Sequence, residues 1–380
     1  MSVYLDHAAT TPMFDVAIDA MNTALRKLGN PSSLHTEGRS TRKDVEDARE
    51  VIAYAIDCFP SEVIFTGSGT EANNAAIKGL FWNSEKKVII VSSIEHHAVL
   101  DPAHWLVEHE GAELILIPVN QDGLIDIAFL QATVEARRNE IALISVMHSN
   151  NETGVIQPVA EVVKIAGDIP VHCDAVQSFT KVPISYKDLG LFAMTVSGHK
   201  VGGPLGIGAL ILRRAVEIPA LLHGGGQERE IRSGTLNAPS IVAFAAAVSA
   251  HIYDAKKVAQ LRDSFESGVS AVRPDAVING KSAPRLPGIS NITFPGTQSD
   301  SLLLLMDSEK VSCSTGAACT AGVHRPSHVL MAMGLTDVVS QSSLRFSFGA
   351  TNTEADVEFA LSVLPRVIER GLAANSVGKK

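Results

Sequence analysis

The sequence predicts an α/β fold, a mostly parallel sheet with helical cover, followed by a smaller α+β domain. Three observations carry this. Compact β-rich runs alternate with helical stretches through the middle of the chain, as in sheets buried on both faces. The pattern changes near Val248, where a long amphipathic helix leads into a separate group of strands. The chain's 380 residues also exceed the comfortable size of one hydrophobic core.

The elements follow in order. Met1 to Thr10 reads as a strand ending in a polar turn. Asp44 to Ile56 is helical, because Val45, Ala48, Val51, Ile52, Ala55 and Ile56 share one face. Glu62 to Thr66 is a short strand, followed by a Gly-rich turn and a helix from about Thr70. Val88 to Val91, Leu114 to Ile117 and Ile141 to Val146 are strands. Helices near Val99 to His109 and Ile127 to Arg137 separate them. Pro170 to Cys173, Ala193 to Val196 and Ile207 to Leu212 continue the series. Beyond Val248, a helix over Val258 to Val272 precedes strands at Val277 to Asn279 and Ile289 to Phe294. A helix near Ser301, a strand near Lys310 and a last strand at Ser343 to Phe348 follow. Thr353 starts a final helix, with Asp356 placed to close a capping box. The tail from Ser376 is expected to be loose.

The net charge of -9 is spread along the chain with no basic block, which argues against a nucleic-acid partner. Aliphatic runs such as Leu302 to Leu305 are far too short to cross a bilayer, and no signal pattern opens the chain. A cytoplasmic location is expected. Cys58, Cys173, Cys313 and Cys319 form no disulfide framework and no Cys-x-x-Cys pair. Cys58 and Cys173 read as packing residues. The histidines lack metal spacing, so no metal site is expected.

Three segments could do chemistry. In Phe65-Thr-Gly-Ser-Gly-Thr-Glu-Ala-Asn-Asn74, a strand feeds Gly67 and Gly69 and a helix opens at Thr70. Free backbone amides and the helix dipole would face an anion there. Taken alone, it is equally a plain strand-to-helix turn. Gly67, Gly69 and Ala72 also match the dinucleotide fingerprint, with Glu95 near the acidic position. In Val171-His-Cys-Asp-Ala-Val-Gln177, Asp174 ends a strand, where parallel sheets place ligand groups. A carboxylate there could hold a pyridine nitrogen protonated, and Gln177 could donate to a ring oxygen. An Asp capping the next turn is the simpler reading of that motif by itself. In Thr195-Val-Ser-Gly-His-Lys-Val-Gly-Gly-Pro-Leu-Gly-Ile-Gly208, Lys200 sits among glycines that leave room for a planar ligand. Lysine amines form imines with carbonyl cofactors, and burial lowers their pKa toward reactivity. Ser197 and His199 could reach a phosphate. The alternative is a surface lysine in a flexible loop.

The order of phosphate turn, strand-end Asp and strand-end Lys resembles pyridoxal-phosphate enzymes of the aspartate-aminotransferase fold, fold type I. The finer match is to the class V branch, and within it to cysteine desulfurases of the NifS/IscS type. It rests on Tyr4-Leu-Asp-His-Ala-Ala-Thr-Thr-Pro12, Gly29-Asn-Pro-Ser-Ser-Leu-His35, Glu95-His96, Asn150-Asn-Glu-Thr-Gly154, Ser197-Gly-His-Lys200 and Arg232-Ser-Gly-Thr235. The resemblance implies pyridoxal 5'-phosphate held as an imine on Lys200. It implies that His96 stacks on the ring, Asp174 pairs with the ring nitrogen, and Gln177 with the ring hydroxyl. Asn151 would lie near that hydroxyl and the substrate. Gly69, Thr70, Ser197 and His199 would hold the phosphate. Thr235 would reach the phosphate of a neighbouring subunit, which implies a homodimer with shared sites. The expected layout is a large cofactor-binding domain over 15–250 and a small domain from 1–14 and 251–380.

Two further groups resemble desulfurases in particular. Ser314-Thr-Gly-Ala-Ala-Cys-Thr320 resembles the loop carrying the persulfide cysteine, which makes Cys319 the nucleophile candidate. Arg345 resembles the arginine that grips the substrate carboxylate, where a two-pronged guanidinium suits the ligand. The implied reaction converts L-cysteine to L-alanine and leaves a persulfide on Cys319. Lys200 and His96 are candidates for the proton transfers, and an acceptor or iron–sulfur scaffold protein takes the sulfur. The closest rival is a selenocysteine lyase. Rivals of other classes are a dinucleotide-dependent oxidoreductase built on the Gly67 turn and a non-catalytic scaffold for iron–sulfur assembly. His7 and Cys313 receive no role.

Overall fold

The computed structural model describes residues 2–316 and 326–377. A short strand, β1 (Val3–Tyr4), opens the chain. Seven strands then build the central sheet: β2 (Val63–Thr66), β3 (Val88–Ser92), β4 (Glu113–Ile117), β5 (Ile141–Ser145), β6 (Val171–Asp174), β7 (Ala193–Ser197) and β8 (Gly208–Leu212). Their order is β2-β8-β7-β6-β5-β3-β4. Only β8 runs against its neighbours, antiparallel to β2 and to β7. The other six therefore point one way, and their C-terminal ends share one edge. All but the edge strand β4 are wholly buried, as their near-continuous Val, Ile, Leu and Ala content requires under helices on both faces.

After β8 come β9 (Val277–Asn279), β10 (Ile289–Thr293), β11 (Val311–Ser312) and β12 (Ser343–Ser347). β10 pairs antiparallel with both β9 and β12, while β11 pairs parallel with β1. One apolar core runs from Val45 to Val248 around the large sheet. Another joins Val3 and Leu5 to residues from Val258 to Ile368. The N-terminal strand thus packs with the last third of the chain.

Most elements lie within a residue or two of expectation; helix Ile127–Arg137 has the bounds read from the sequence. Three differences have physical causes. The helix expected from Asp44 begins at Thr36, because its first two turns are polar and carry no apolar stripe. Gly38 there lies so close to Ser33 that a Cβ would come within 2.5 Å of the Ser33 carbonyl oxygen. A helix at Ala238–Ser249 is apolar nearly all round and buried, so it has no face for a periodicity to reveal. It packs against two other helices, Asp15–Leu25 and Thr36–Ile56. The final helix, Glu354–Val377, takes in the first two residues of the tail expected to be loose from Ser376, and 378–380 lie outside the described residues. The expected cap is present: Asp356 accepts from the Thr353 amide at 2.8 Å and from its hydroxyl at 3.2 Å. Among the described residues, no helix is long and apolar enough to cross a membrane.

Candidate active site

The shared C-terminal edge of the sheet carries a cavity of about 420 Å³. Gly69, Thr70, His96, Asn151, Asp174, Gln177, Ser197, His199, Lys200 and Arg345 all line it. The topology explains the convergence. β2 ends before the Gly67 turn, β3 before His96, β5 before Asn151, β6 at Asp174 and β7 at Ser197. Arg345 comes from β12, so the site lies where the two cores meet.

The anion end is built on helix Gly69–Trp82. Ser68 caps it, its hydroxyl accepting from the Glu71 amide at 3.0 Å. The amides of Gly69 and Thr70 have no intrahelical acceptor, and the dipole adds positive character there. A Cβ on Gly69 would lie 3.1 Å from Val176 and 3.3 Å from Ser197, so glycine keeps the cradle open. A Cβ on Gly208 would stand 2.6 Å from the Ser68 carbonyl carbon, so β8 can lie against the loop only without a side chain. Glu71 ties the loop down, accepting from the Gly67 amide at 2.8 Å and from Arg232 Nε at 2.8 Å. Ser197 is buried at the cavity wall. His199 contacts the Thr10 hydroxyl through Nδ1 at 3.2 Å; burial and the charges of Lys200 and Lys181 lower its pKa to about 4. Both effects favour the neutral ring near pH 7.

Asp174 does two things. Oδ1 accepts from the Val176 amide at 2.9 Å, the turn cap expected of an Asp there. Oδ2 accepts from Asn73 Nδ2 at 2.7 Å, and the carboxylate still faces the cavity. Behind it, the His172 ring is pinned between Ser145 at 2.9 Å and Thr195 at 3.1 Å. Asp174→Asn should fold normally, because Asn73 Oδ1 is unpartnered and its amide can flip to accept the new N–H. Turnover is expected to fall roughly 100-fold or more, on the scale of losing one preorganised electrostatic partner. A variant with near-normal turnover and an unchanged cofactor spectrum would remove Asp174 from its role.

Lys200 Nζ donates to the carbonyls of Ala8 at 2.7 Å and Ala9 at 2.6 Å. Burial, then the Arg345 charge, lowers its pKa to about 8, while Asp6 and Asp174 oppose the shift. An amine ordinarily protonated near neutrality thus keeps a usable unprotonated fraction. His96 caps helix His97–Glu110, its Nδ1 accepting from the Ala98 amide at 3.0 Å. Desolvation lowers its pKa, so the neutral ring carries its proton on Nε2. Gln177 Nε2 donates to the Ala8 carbonyl at 2.9 Å. Asn151 lends its carbonyl to Arg345 Nη1 at 3.0 Å.

Arg345 is held by that carbonyl and by Asp6 Oδ1, 2.8 Å from Nη2, while Nε has no partner. Each terminal nitrogen keeps a second hydrogen, so the fork can still meet a carboxylate. Arg345→Lys retains the charge and loses that fork; KM for an amino-acid substrate is expected to rise roughly tenfold or more. The spectrum of the resting enzyme should not change. An unchanged KM would move the carboxylate site elsewhere.

One candidate residue is not in this constellation. Thr235 is exposed and does not line the cavity. Cys319 lies outside the described residues. Other contributors were unassigned from sequence: Asn73 and Asp6 sit inside quoted motifs, and only the fold reveals their partners. Glu152 is a buried carboxylate on the cavity wall, 2.5 Å from the Ser327 hydroxyl, with its pKa raised by burial.

The dinucleotide reading fails on topology. The helix after Gly67 leads to β3, which is separated from β2 by four strands, whereas the fingerprint joins parallel neighbours. Glu95 is also spent internally, accepting from Ser92 at 2.9 Å and Met147 at 2.5 Å.

A family model for class-V aminotransferases matches residues 3–359. The chain belongs to the class-V aminotransferase family. An "IscS-like cysteine desulfurase" of Mycobacterium tuberculosis is 47% identical over 98% of this chain and 97% of the relative. A solved "NifS-like protein" superposes with a TM-score of 0.90 at 34% identity, covering 97% of this chain and all of the other. Another, titled "SspA in complex with cysteine", gives 0.83 at 34% identity, over 93% of this chain and all of the other. Class-V aminotransferases use pyridoxal 5'-phosphate, and this donor set fits it. The open cradle at Gly69 suits a phosphate, the Asp174 carboxylate suits a pyridinium, and Lys200 offers a low-pKa amine.

Proposed function

We infer that this protein is a pyridoxal-phosphate-dependent cysteine desulfurase, forming L-alanine from L-cysteine and leaving the sulfur as a persulfide on Cys319. The observation that carries the reading is one cavity holding Lys200, Asp174 and Arg345, in a chain 47% identical to a cysteine desulfurase. Gly69, Thr70, Ser197 and His199 would hold the cofactor phosphate. Asp174 would serve the ring nitrogen, Gln177 and Asn151 the ring hydroxyl, and His96 the ring face. Bound pyridoxal phosphate supplies the electron sink for the pair left at the substrate Cα.

The remaining work falls to the chain's own residues. Arg345 orients the substrate carboxylate. Lys200, poised near neutrality, takes the Cα proton, and Lys200 or His96 Nε2–H returns protons to the alanine carbons. Cys319 as a thiolate takes the substrate sulfur, so one cysteine and one thiol become one alanine and one persulfide. The three described cysteines are poorly suited to that step. Burial pushes the Cys58 thiol up to about 12 and raises Cys173 and Cys313 further.

The same reading takes 15–250 as the large domain, and 1–14 with 251–380 as the small one. It places the enzyme in the cytoplasm as a homodimer, in which Thr235 reaches the partner subunit's cofactor; its exposure supports this. The persulfide sulfur goes to an acceptor or scaffold protein for iron–sulfur clusters or thiolated transfer RNA. Incubating the purified enzyme with L-cysteine and a dithiol should release alanine and sulfide in equal amounts. A protein that releases neither, with pyridoxal phosphate bound, would overturn the reading.

A further inference from the structure

Asn73 stands one turn into helix Gly69–Trp82, so it shares a face with Gly69 and Thr70 at the anion cradle. It lines the same cavity and is 1% exposed. The buried residues around it on the helix are Ala72, Ala75, Ala76 and Ile77, which pack into an apolar cluster. On local grounds asparagine is a poor choice there. It favours a helix less than alanine does, and burying its amide costs free energy wherever the amide is not hydrogen-bonded. Only half of this amide is bonded. Nδ2 donates to Asp174 Oδ2 at 2.7 Å, while Oδ1 has no partner. Among the described residues, the one side-chain hydrogen bond of Asn73 is thus to the carboxylate read as the partner of the ring nitrogen.

Asp174 depends on that bond for its orientation. Oδ1 is held by the Val176 amide at 2.9 Å. One donor leaves the carboxylate free to turn about its Cβ–Cγ bond, a torsion with only broad preferences. The Asn73 donor at Oδ2 stops that rotation. The plane of the carboxylate is then set from two sides, by the turn after β6 and by the helix that forms the cradle. An ionised carboxylate only accepts, so it meets the Asn73 NH₂ and fixes the amide in turn. Each oxygen keeps a further lone pair for a ligand in the cavity.

We propose that Asn73 is a positioning residue, whose NH₂ keeps the Asp174 carboxylate turned toward a protonated ring nitrogen and ties it to the helix that cradles the phosphate. This rests on the reading of Asp174 as the ring-nitrogen partner. One helix then serves both ends of the cofactor: Gly69 and Thr70 at the phosphate, and Asn73, through Asp174, at the ring nitrogen. Without the donor, Asp174 is free to turn from the ring. A ring nitrogen that loses its carboxylate partner gives up its proton more readily, and the ring becomes a weaker electron sink. The phosphate contacts do not involve the Asn73 side chain, so the cofactor stays bound.

Asn73→Leu keeps the size of the side chain and removes the donor. Asn73→Ala removes the donor and raises local helix propensity. The test is nitrogen NMR of holoenzyme carrying pyridoxal phosphate isotope-labelled at the ring nitrogen. Wild type should show a protonated ring nitrogen, and both variants a signal displaced toward the unprotonated form. Turnover should fall roughly tenfold in both, the scale of one lost hydrogen bond to a charged group. KM for L-cysteine should hardly move, since Arg345 is untouched. A packing role predicts another pattern: Asn73→Leu fills the space and behaves as wild type, and only Asn73→Ala is impaired. That pattern, or a ring-nitrogen signal unchanged in both variants, would overturn the proposal. An unprotonated ring nitrogen in wild type would instead overturn the reading of Asp174.

Discussion

Lys200→Ala is expected to lose turnover by roughly 10⁴-fold or more, because one side chain both anchors the cofactor and moves the Cα proton. The anion cradle does not depend on Lys200, so pyridoxal phosphate should still bind, reversibly, through Gly69, Thr70, Ser197 and His199. Borohydride should fix the cofactor to wild type and not to the variant. In wild type the label should block cleavage at Lys200 and appear in tryptic peptide 188–213. A label elsewhere, or a variant that still fixes cofactor, would contradict the assignment. Among the described residues no other lysine lines the main cavity: Lys181 lines a second, smaller chamber, with Gln177 between it and the Ala8 carbonyl.

Cys319→Ser is expected to remove nearly all alanine and sulfide release, since a serine hydroxyl cannot carry a persulfide. The cofactor spectrum and its response to cysteine should survive, because none of the described cavity groups is altered. Cys313→Ser should remain active. The two cysteines share one polar, small-residue stretch where exposure alone does not decide, and the sequence favours Cys319 through the strand that limits Cys313 and through the family resemblance. Cys313 is buried in the second core, directly after β11, and its thiol is pushed far up by burial. A thiol that resists ionisation is a poor nucleophile. An active Cys319→Ser enzyme would move the sulfur to another acceptor.

Much of this site was legible in the sequence because its chemistry sits at strand ends. β6 ends on Asp174, and β7 ends three residues before Lys200, so the compact β-rich runs of the sequence already placed both at strand ends. Arg345 could be placed on a strand, and its role came only through resemblance. What the sequence hid were partnerships across distance. Asp6 meets Arg345 across 339 positions, and Asn73 meets Asp174 across 101. Such pairs leave no periodic trace. The Gly67 turn illustrates the reverse case. Its local pattern suited two kinds of ligand, and strand order, a global property, decided against the dinucleotide. His7 received no role from the sequence and Lys181 was not singled out there; the second chamber brings both beside Lys200.

The most direct test of the central claim is to locate the transferred sulfur. The enzyme is incubated with L-cysteine labelled at sulfur, without reductant, alkylated, and digested with trypsin. Trypsin does not cut the Arg325–Pro326 bond, so Cys313 and Cys319 fall in one peptide, 311–345, and fragmentation must divide them. One added sulfur on Cys319, matched by one alanine per active site, is the predicted result. Sulfur on Cys313, or alanine formed with no sulfur on the protein, would contradict it.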